Sequence, residues 1–358
     1  VADGDTVKVL VTRTDRLGDL VLSLPVFALL KQACPAWEIH ALVAPGSVPL
    51  VENDPHLSRV WTWNGDEPEA LRRALQTELA ACGFDAAVML QYRRELAVLL
   101  RAAGIRRRYG PWSRWSSWLH LNRGRRQNRS GGGRHEMDFN LDLGRCLLAD
   151  EGVTPPRAVQ PLPQLHLCRA QKELAACFRR EQAPAASRIA FVHPGSGGSA
   201  LDWEPARFAE VANVLAADRS CRVFVTGAGS DAPAVGAVSD LLVPAVTVLL
   251  DRYPLREFLA VLSTGNLFVG PSTGPLHMAS ALAVPTLGLF PPVRTMYPDR
   301  WGARGEGGVR GRSLLPDVSC PARRDCRGNR CPHYNCLNGI RVETVLAAAR
   351  DILAQGLS

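Results

Sequence analysis

Residues 7–30 constrain the fold more tightly than any other stretch of the chain. Val7, Val9, Leu10 and Val11 form a β-branched, apolar run, Arg13, Asp15, Arg16, Gly18 and Asp19 fall in a short polar loop, and residues 20–30 are almost wholly apolar. This reads as a buried strand, a tight turn and a buried helix. In an open α/β sheet, ligands bind beyond the carboxyl ends of the strands, so the loop carrying Asp19 stands where chemistry is done. Gly18 supplies the permissive turn, and Asp19 sits where a helix begins. The residues alone leave the carboxylate between two roles, an N-cap or a base beside Arg13 and Arg16. The cap is the commoner use of such an aspartate.

The same alternation continues. Residues 38–43, 60–63 and 84–90 read as strands and 67–81 as a helix, which implies parallel βαβ units. With 358 residues the chain has room for two domains, each with its own core. We expect an N-terminal Rossmann-like domain over 1–164, a second over 165–340, and a helix over 341–358 packing across their junction. The proline-rich stretch from Thr154 to Pro163 forms the natural linker.

A composition of 46% hydrophobic and 21% charged residues excludes wholesale disorder, and a net charge of +8 favours an anionic partner. No apolar run reaches membrane-spanning length and the first residues lack a secretory pattern, so the expectation is a cytoplasmic protein with room for peripheral contact with an anionic membrane. Arginines crowd residues 93–134, where Tyr109, Trp112, Trp115 and Trp118 are interleaved with them. Such a surface suits single-stranded nucleic acid or a phosphorylated or carboxylated sugar, and equally a mobile basic loop around Ser130 and Gly133. No nucleic-acid-binding motif accompanies it, so nucleic acid is not an expected partner. Of the ten cysteines, six are scattered among apolar or helical neighbours and read as reduced thiols, whereas Cys320, Cys326, Cys331 and Cys336 are clustered. Their spacing permits a thiolate metal site without requiring one.

Three strand-to-turn junctions mark the second half. In the first, His193, Gly195, Ser196 and Gly198 follow a strand, and Pro205 opens the next helix. In the second, Gly227, Gly229 and Ala232 satisfy G-x-G-x-x-A, with Asp251 about 20 residues on, as a dinucleotide fingerprint requires. Against a nucleotide-dependent oxidoreductase, a strand and helix precede this motif, and Asp231 would repel a pyrophosphate. The third is the sharpest: a buried strand over 267–271, then Ser272, Thr273, Gly274 and Pro275, then an apolar helix carrying His277. Backbone amides, two hydroxyls and a helix dipole would there meet a diphosphate.

Together the Arg13-to-Asp19 segment with Leu24 and Pro25, Phe84 and Asp85 before a strand, His135 and Glu136 before Asn140, and the 267–282 block resemble glycosyltransferase family 9, the lipopolysaccharide heptosyltransferases. The resemblance covers most of residues 7–345. It implies a GT-B architecture of two Rossmann-like domains facing across a crevice, and inverting transfer of heptose from ADP-heptose to a sugar hydroxyl of an anionic, lipid-linked inner-core oligosaccharide, with no catalytic metal. Asp19 would be the general base. His193, Gly195, Ser196, Gly227, Asp231, Ser272, Thr273, Gly274 and His277 would bind the donor, and Arg13, Arg16, Arg93 and Arg94 the acceptor. Some relatives bind iron through cysteines, which makes Cys320, Cys326, Cys331 and Cys336 candidate ligands for structural zinc or iron. Leu201 replaces a lysine of the family pattern and Ser272 an acidic residue, with Arg207 or Arg294 as substitutes for the lost cation. The alternatives are a family 9 transferase with another nucleotide sugar or a protein acceptor, or a non-catalytic anion-binding protein of this fold.

Overall fold

The computed structural model describes residues 6–113, 115–129, 131, 133–154, 161–184, 188–196, 201–305, 311–322 and 325–355. Arg114, Ser130, Pro155, Pro156 and Gly198 lie outside the described residues, as do the last positions of the expected C-terminal helix. The chain divides after His166 into two compact units, and the short segment ending at His135 belongs with the second.

The first unit is built on β1 (Lys8–Arg13), β2 (Glu38–Val43), β3 (Arg59–Thr62), β4 (Ala86–Met89), β5 (Arg107–Pro111) and β6 (Arg123–Arg125). They form one parallel sheet in the order β3-β2-β1-β4-β5-β6. Val9, Leu10 and Val11 of central β1 and all of β4 are apolar and buried, as a parallel sheet covered on both sides requires. The helix Leu24–Ala33 buries seven successive residues, 24–30. It lies against the helix Glu136–Asp150, where Gly144 permits close approach: a Cβ there would stand 3.3 Å from Val26 and Leu29 side-chain carbons. Gly83, at φ +66°, closes the helix Glu69–Cys82 in the left-handed conformation that glycine adopts without strain.

The arginine-rich stretch, read as a groove or loop, contains two strands. Tyr109 anchors β5, buried with its hydroxyl donating to Asp150 Oδ2 at 2.8 Å. Gly124 on β6 leaves space that the Trp112 indole fills. Trp115 and Trp118 remain exposed.

The second unit repeats the plan with β7 (Arg188–Val192), β8 (Cys221–Gly227), β9 (Thr247–Leu250), β10 (Leu267–Pro271), β11 (Thr286–Leu289) and β12 (Arg312–Leu314). All pair in parallel, in the order β12-β11-β10-β7-β8-β9. The helix Val342–Gln355, expected at a junction, turns Val345, Leu346, Ala349, Ile352 and Leu353 into this unit's core beside Phe208 and Val211. Each unit therefore brings its central strand ends, and the loops after them, to one edge of its sheet.

Candidate functional site

In the first unit the site begins where β1 ends. Arg16 occupies the N-cap position of the helix Leu17–Val21, and Asp19 is its third residue, with no capping hydrogen bond from either side chain. The N-cap reading of Asp19 is thereby corrected: its carboxylate turns back to Arg13. Arg13, the buried last residue of β1, donates from Nη2 to Asp19 Oδ1 at 2.5 Å, from Nε to Asp15 Oδ1 at 2.6 Å and from Nη1 to Asn140 Oδ1 at 3.2 Å. Glu136 Oε1 stands 3.5 Å from the same guanidinium. Arg129 pairs with Glu136, and its Nη2 donates to Asn140 Oδ1 at 3.3 Å and to the Leu90 carbonyl at 3.1 Å. Asn140 Nδ2 in turn donates to the Leu22 carbonyl and Ser23 Oγ, and Ser23 Oγ donates to the Asp19 carbonyl at 2.7 Å.

Asp15, Asp19 and Glu136 are thus three carboxylates sharing two embedded guanidiniums. Burial, with the repulsion of Asp15 and Glu136, outweighs the attraction of Arg13 and Arg16 and raises Asp19 to about 6. Arg13 itself is pushed upward: burial disfavours its charge, but Asp15, Asp19 and Glu136 more than offset that. The result is an oriented carboxylate, 14% exposed at its side chain, that titrates just below neutrality. Such a group suits general-base chemistry better than an ordinary aspartate.

The four arginines expected at an acceptor are dispersed. Arg13 spends its guanidinium on protein carboxylates and positions Asp19. Arg16 is exposed beside the network, on the loop after β1. Arg93 follows the neighbouring β4, half-buried, with Nε donating to Gln91 Oε1 at 3.3 Å. Arg94 lines a separate cavity with Glu69, Arg72 and Gln76. Glu136, Asn140, Arg129 and Ser23 complete the network; the sequence marks Glu136 and Asn140 only as part of the family-like middle segment, without a role, and does not mark Arg129 or Ser23. Glu136 and Asn140 share one face of a helix at i and i+4, more than 100 residues beyond Arg13.

In the second unit the ends of β10, β7 and β8 lie side by side, and the expected donor residues fall at these strand ends or in the turns and helix starts that follow them. His193 follows β7; its N–H donates to the Val269 carbonyl at 2.8 Å, and Nδ1 lies 3.1 Å from Thr226 Oγ1. Nε2 lies 3.7 Å from Asp231 Oδ2, which also accepts from the Ala228 N–H at 2.9 Å. Burial lowers His193 to about 4, against the pull of Asp231, so the ring is neutral. Asp231 is the N-cap residue of the helix Ala232–Ser239. A buried carboxylate at that end repels the pyrophosphate of the dinucleotide reading.

Gly195 and Gly227 meet around Asp231. A Cβ on Gly195 would fall 2.3 Å from the Asp231 carboxyl carbon, and one on Gly227 would fall 2.6 Å from Val235 Cγ2. Gly195→Ala is therefore expected to displace Asp231 and cost about 1–3 kcal/mol of stability. Urea unfolding checks the energy, and an unchanged midpoint would mean that the turn absorbs the methyl group elsewhere.

After β10, Thr273 stands at the N-cap position of the helix Gly274–Ala281 without a side-chain capping hydrogen bond, and Pro275 carries no N–H, so Gly274 and Leu276 offer the first-turn donors. Ser272 is half-buried beside them, and Ser196 is buried after β7. His277 lies one turn in and is buried. Burial and the nearby His135 lower it to about 3, so it is neutral, and its Nδ1 has no protein partner. At neutral pH it can offer a hydrogen bond but no positive charge.

Leu201, in place of a cation, packs against the second core. Arg207, one of the two expected substitutes, is held in this structure by Glu204 at 3.1 Å and the Ile340 carbonyl at 3.2 Å. Arg294, just after β11, is exposed at the same sheet edge. Cys320, Cys326, Cys331 and Cys336 are half-buried free thiols, and burial with the other three raises Cys336. Zinc–sulfur bonds of about 2.3 Å would bring the sulfurs within about 4 Å of one another. Among the described residues, no three of these sulfurs lie within 4.8 Å of one another. The expected structural zinc or iron ligand set is therefore not assembled.

Comparison with known proteins agrees with this geometry. The profile of glycosyltransferase family 9 (heptosyltransferase) matches residues 72–310. A candidate glycosyltransferase of Haemophilus influenzae is 30% identical over 82% of this chain and 85% of its own length. Lipopolysaccharide heptosyltransferase 3 of Escherichia coli is 24% identical over 76% of this chain and 80% of its own. The structure of E. coli ADP-heptose lps heptosyltransferase II superposes with a TM-score of 0.77 at 19% identity, covering 98% of this chain and 100% of that one. Two parallel six-stranded sheets, a carboxylate at the end of the first strand and a glycine-lined strand edge in the second unit meet a match over most of the chain: it belongs to glycosyltransferase family 9, the heptosyltransferase family.

Proposed function

We propose that this glycosyltransferase moves a heptose from ADP-heptose to a sugar hydroxyl of the lipopolysaccharide inner core, with inversion and without a catalytic metal. The observation that carries this reading is Asp19, oriented by Arg13 and raised to about 6. Its carboxylate takes the acceptor hydroxyl proton as the oxygen attacks the anomeric carbon. The bond from that carbon to the diphosphate oxygen breaks, and ADP leaves with the electron pair. The Gly274 and Leu276 amides, Thr273 and Ser272 stabilise the diphosphate, and neutral His277 adds a hydrogen bond. Asp231 accepts a ribose hydroxyl, with His193, Gly195, Ser196 and Gly227 shaping its surroundings. Arg16 and Arg93 attract the anionic acceptor, and Arg13 acts through Asp19. The domains act as an acceptor half ending near residue 164 and a donor half beyond it.

No helix among the described residues is long and apolar enough to cross a membrane. We propose action at the cytoplasmic face of the inner membrane, where exposed Trp115 and Trp118 among arginines suit an anionic interface.

Leu201, committed to the core, favours a second reading in which another nucleotide sugar is the donor. Calorimetric titration with ADP, UDP, GDP and their sugar conjugates separates the two. Selective binding of ADP and ADP-heptose supports the first, and preference for another nucleotide replaces the donor. Binding of none removes the transferase mechanism. Arg294→Ala is expected to weaken donor binding about 10-fold, the loss of one charge-assisted contact; unchanged affinity would return Arg294 to the solvent.

A further inference from the structure

Asp54, His56 and His166 form the one group among the described residues whose metal-ligating atoms, one from each, lie within 4.8 Å of one another. They belong to the first unit. His166 is far from the other two in sequence: Asp54 and His56 follow the 3₁₀ turn Pro45–Leu50, and His166 is the unit's last residue. None takes part in the Asp19 network or the donor edge.

The local geometry is already organised. Asp54 is buried, and its Oδ1 accepts from both the His56 N–H at 2.9 Å and His56 Nδ1 at 2.8 Å. Asp54 Oδ1 and His56 Nδ1 thus already stand at a spacing that one ion can bridge, with the proton between them released on binding. The His56 and His166 rings stand 6.2 Å apart between centroids, inclined at 65°. At this distance and inclination one nitrogen of each ring lies within 4.8 Å of the other and of an Asp54 oxygen. An ion with bonds of about 2.1 Å holds its ligand atoms about 3.4 Å apart, so closure requires movements of less than about 1 Å from each side chain.

We propose that Asp54, His56 and His166 bind a divalent first-row transition metal ion. Two imidazoles and a carboxylate suit Zn²⁺, Co²⁺ or Ni²⁺, whereas Mg²⁺ and Ca²⁺ take oxygen ligands. The ion clips the segment leaving the first unit to the loop before β3. It closes about 110 residues of chain, the kind of long loop for which a cross-link restricts the unfolded state most. Its role is structural, since it lies outside both the general-base network and the donor edge.

Co²⁺ titration of the metal-free full chain, followed by visible absorption and thermal unfolding, tests this. Expected are one Co²⁺ per chain, weak d–d bands without a thiolate charge-transfer band, and a raised Tm. His56→Ala and His166→Gln should each weaken binding about 10-fold or more and abolish the Tm gain. Circular dichroism confirms that each variant is folded, and the one that folds serves if the other does not. Absence of binding, binding unchanged in both folded variants, or a thiolate band lost in Cys336→Ser would each overturn the proposal.

Discussion

Asp19→Asn is expected to lower kcat/KM by about 10²–10⁴-fold, the usual contribution of a general base, while nucleotide binding is retained. The amide keeps the shape and can still accept from Arg13, but cannot take the acceptor proton. The wild-type pH profile should carry the same group. With Asp19 raised to about 6, kcat/KM should climb about tenfold per pH unit below that value and level off above it. In Asp19→Asn this limb should vanish from the residual activity. Stability runs the other way. A carboxylate raised above its unfolded value favours folding fully below that unfolded value, and this contribution is lost as pH rises through about 6. Holding Asp19 ionised at pH 8 therefore costs stability, and Asp19→Asn should unfold no earlier than wild type there. Unchanged turnover would remove Asp19 from the mechanism. A large stability loss with proportionate activity loss would make it a structural residue.

The legible parts of the chain are those set by local pattern. The β1 and β2 segments, the glycine-rich turns and the helix after Thr273 are visible because each depends on adjacent residues. β5 and β6 are not, since short strands rich in arginine and glycine lack an alternating signature. Tyr109 and Gly124 become meaningful only once Asp150 and Trp112 are packed against them. The placement of Asp19 within its helix turned on three residues, because the polypeptide enters helical geometry at Leu17, before the aspartate. The Arg13 network is the deepest omission. Glu136 and Asn140 reach it through tertiary packing of the helix Glu136–Asp150, which no spacing near Arg13 encodes. Leu201 shows the converse: its identity signalled a missing cation, but only its packing shows that the position belongs to the core.

Arg13→Met should be the most destabilising substitution at the site, costing about 3–5 kcal/mol at pH 8, because it removes a buried cation and leaves its partners. Asp15 and Asp19 lose their direct donor, whereas Glu136 retains Arg129. Methionine fills much of the volume, so the loss is electrostatic rather than a cavity effect. The sign of its pH dependence follows. Without Arg13 the buried Asp19 carboxylate binds its proton still more tightly than in the unfolded chain, so the variant recovers stability as pH falls and this group neutralises. Urea midpoints at pH 8 and pH 5 should converge on wild type at the lower value. Adding Asp19→Asn to Arg13→Met should restore part of the loss at pH 8, since one of the stranded charges is gone, and this non-additivity measures the coupling directly. A deficit independent of pH, and simple addition of the two effects, would mean that Arg13 acts through packing alone. In that case the raised Asp19 would have to be sustained by burial without the guanidinium that orients it.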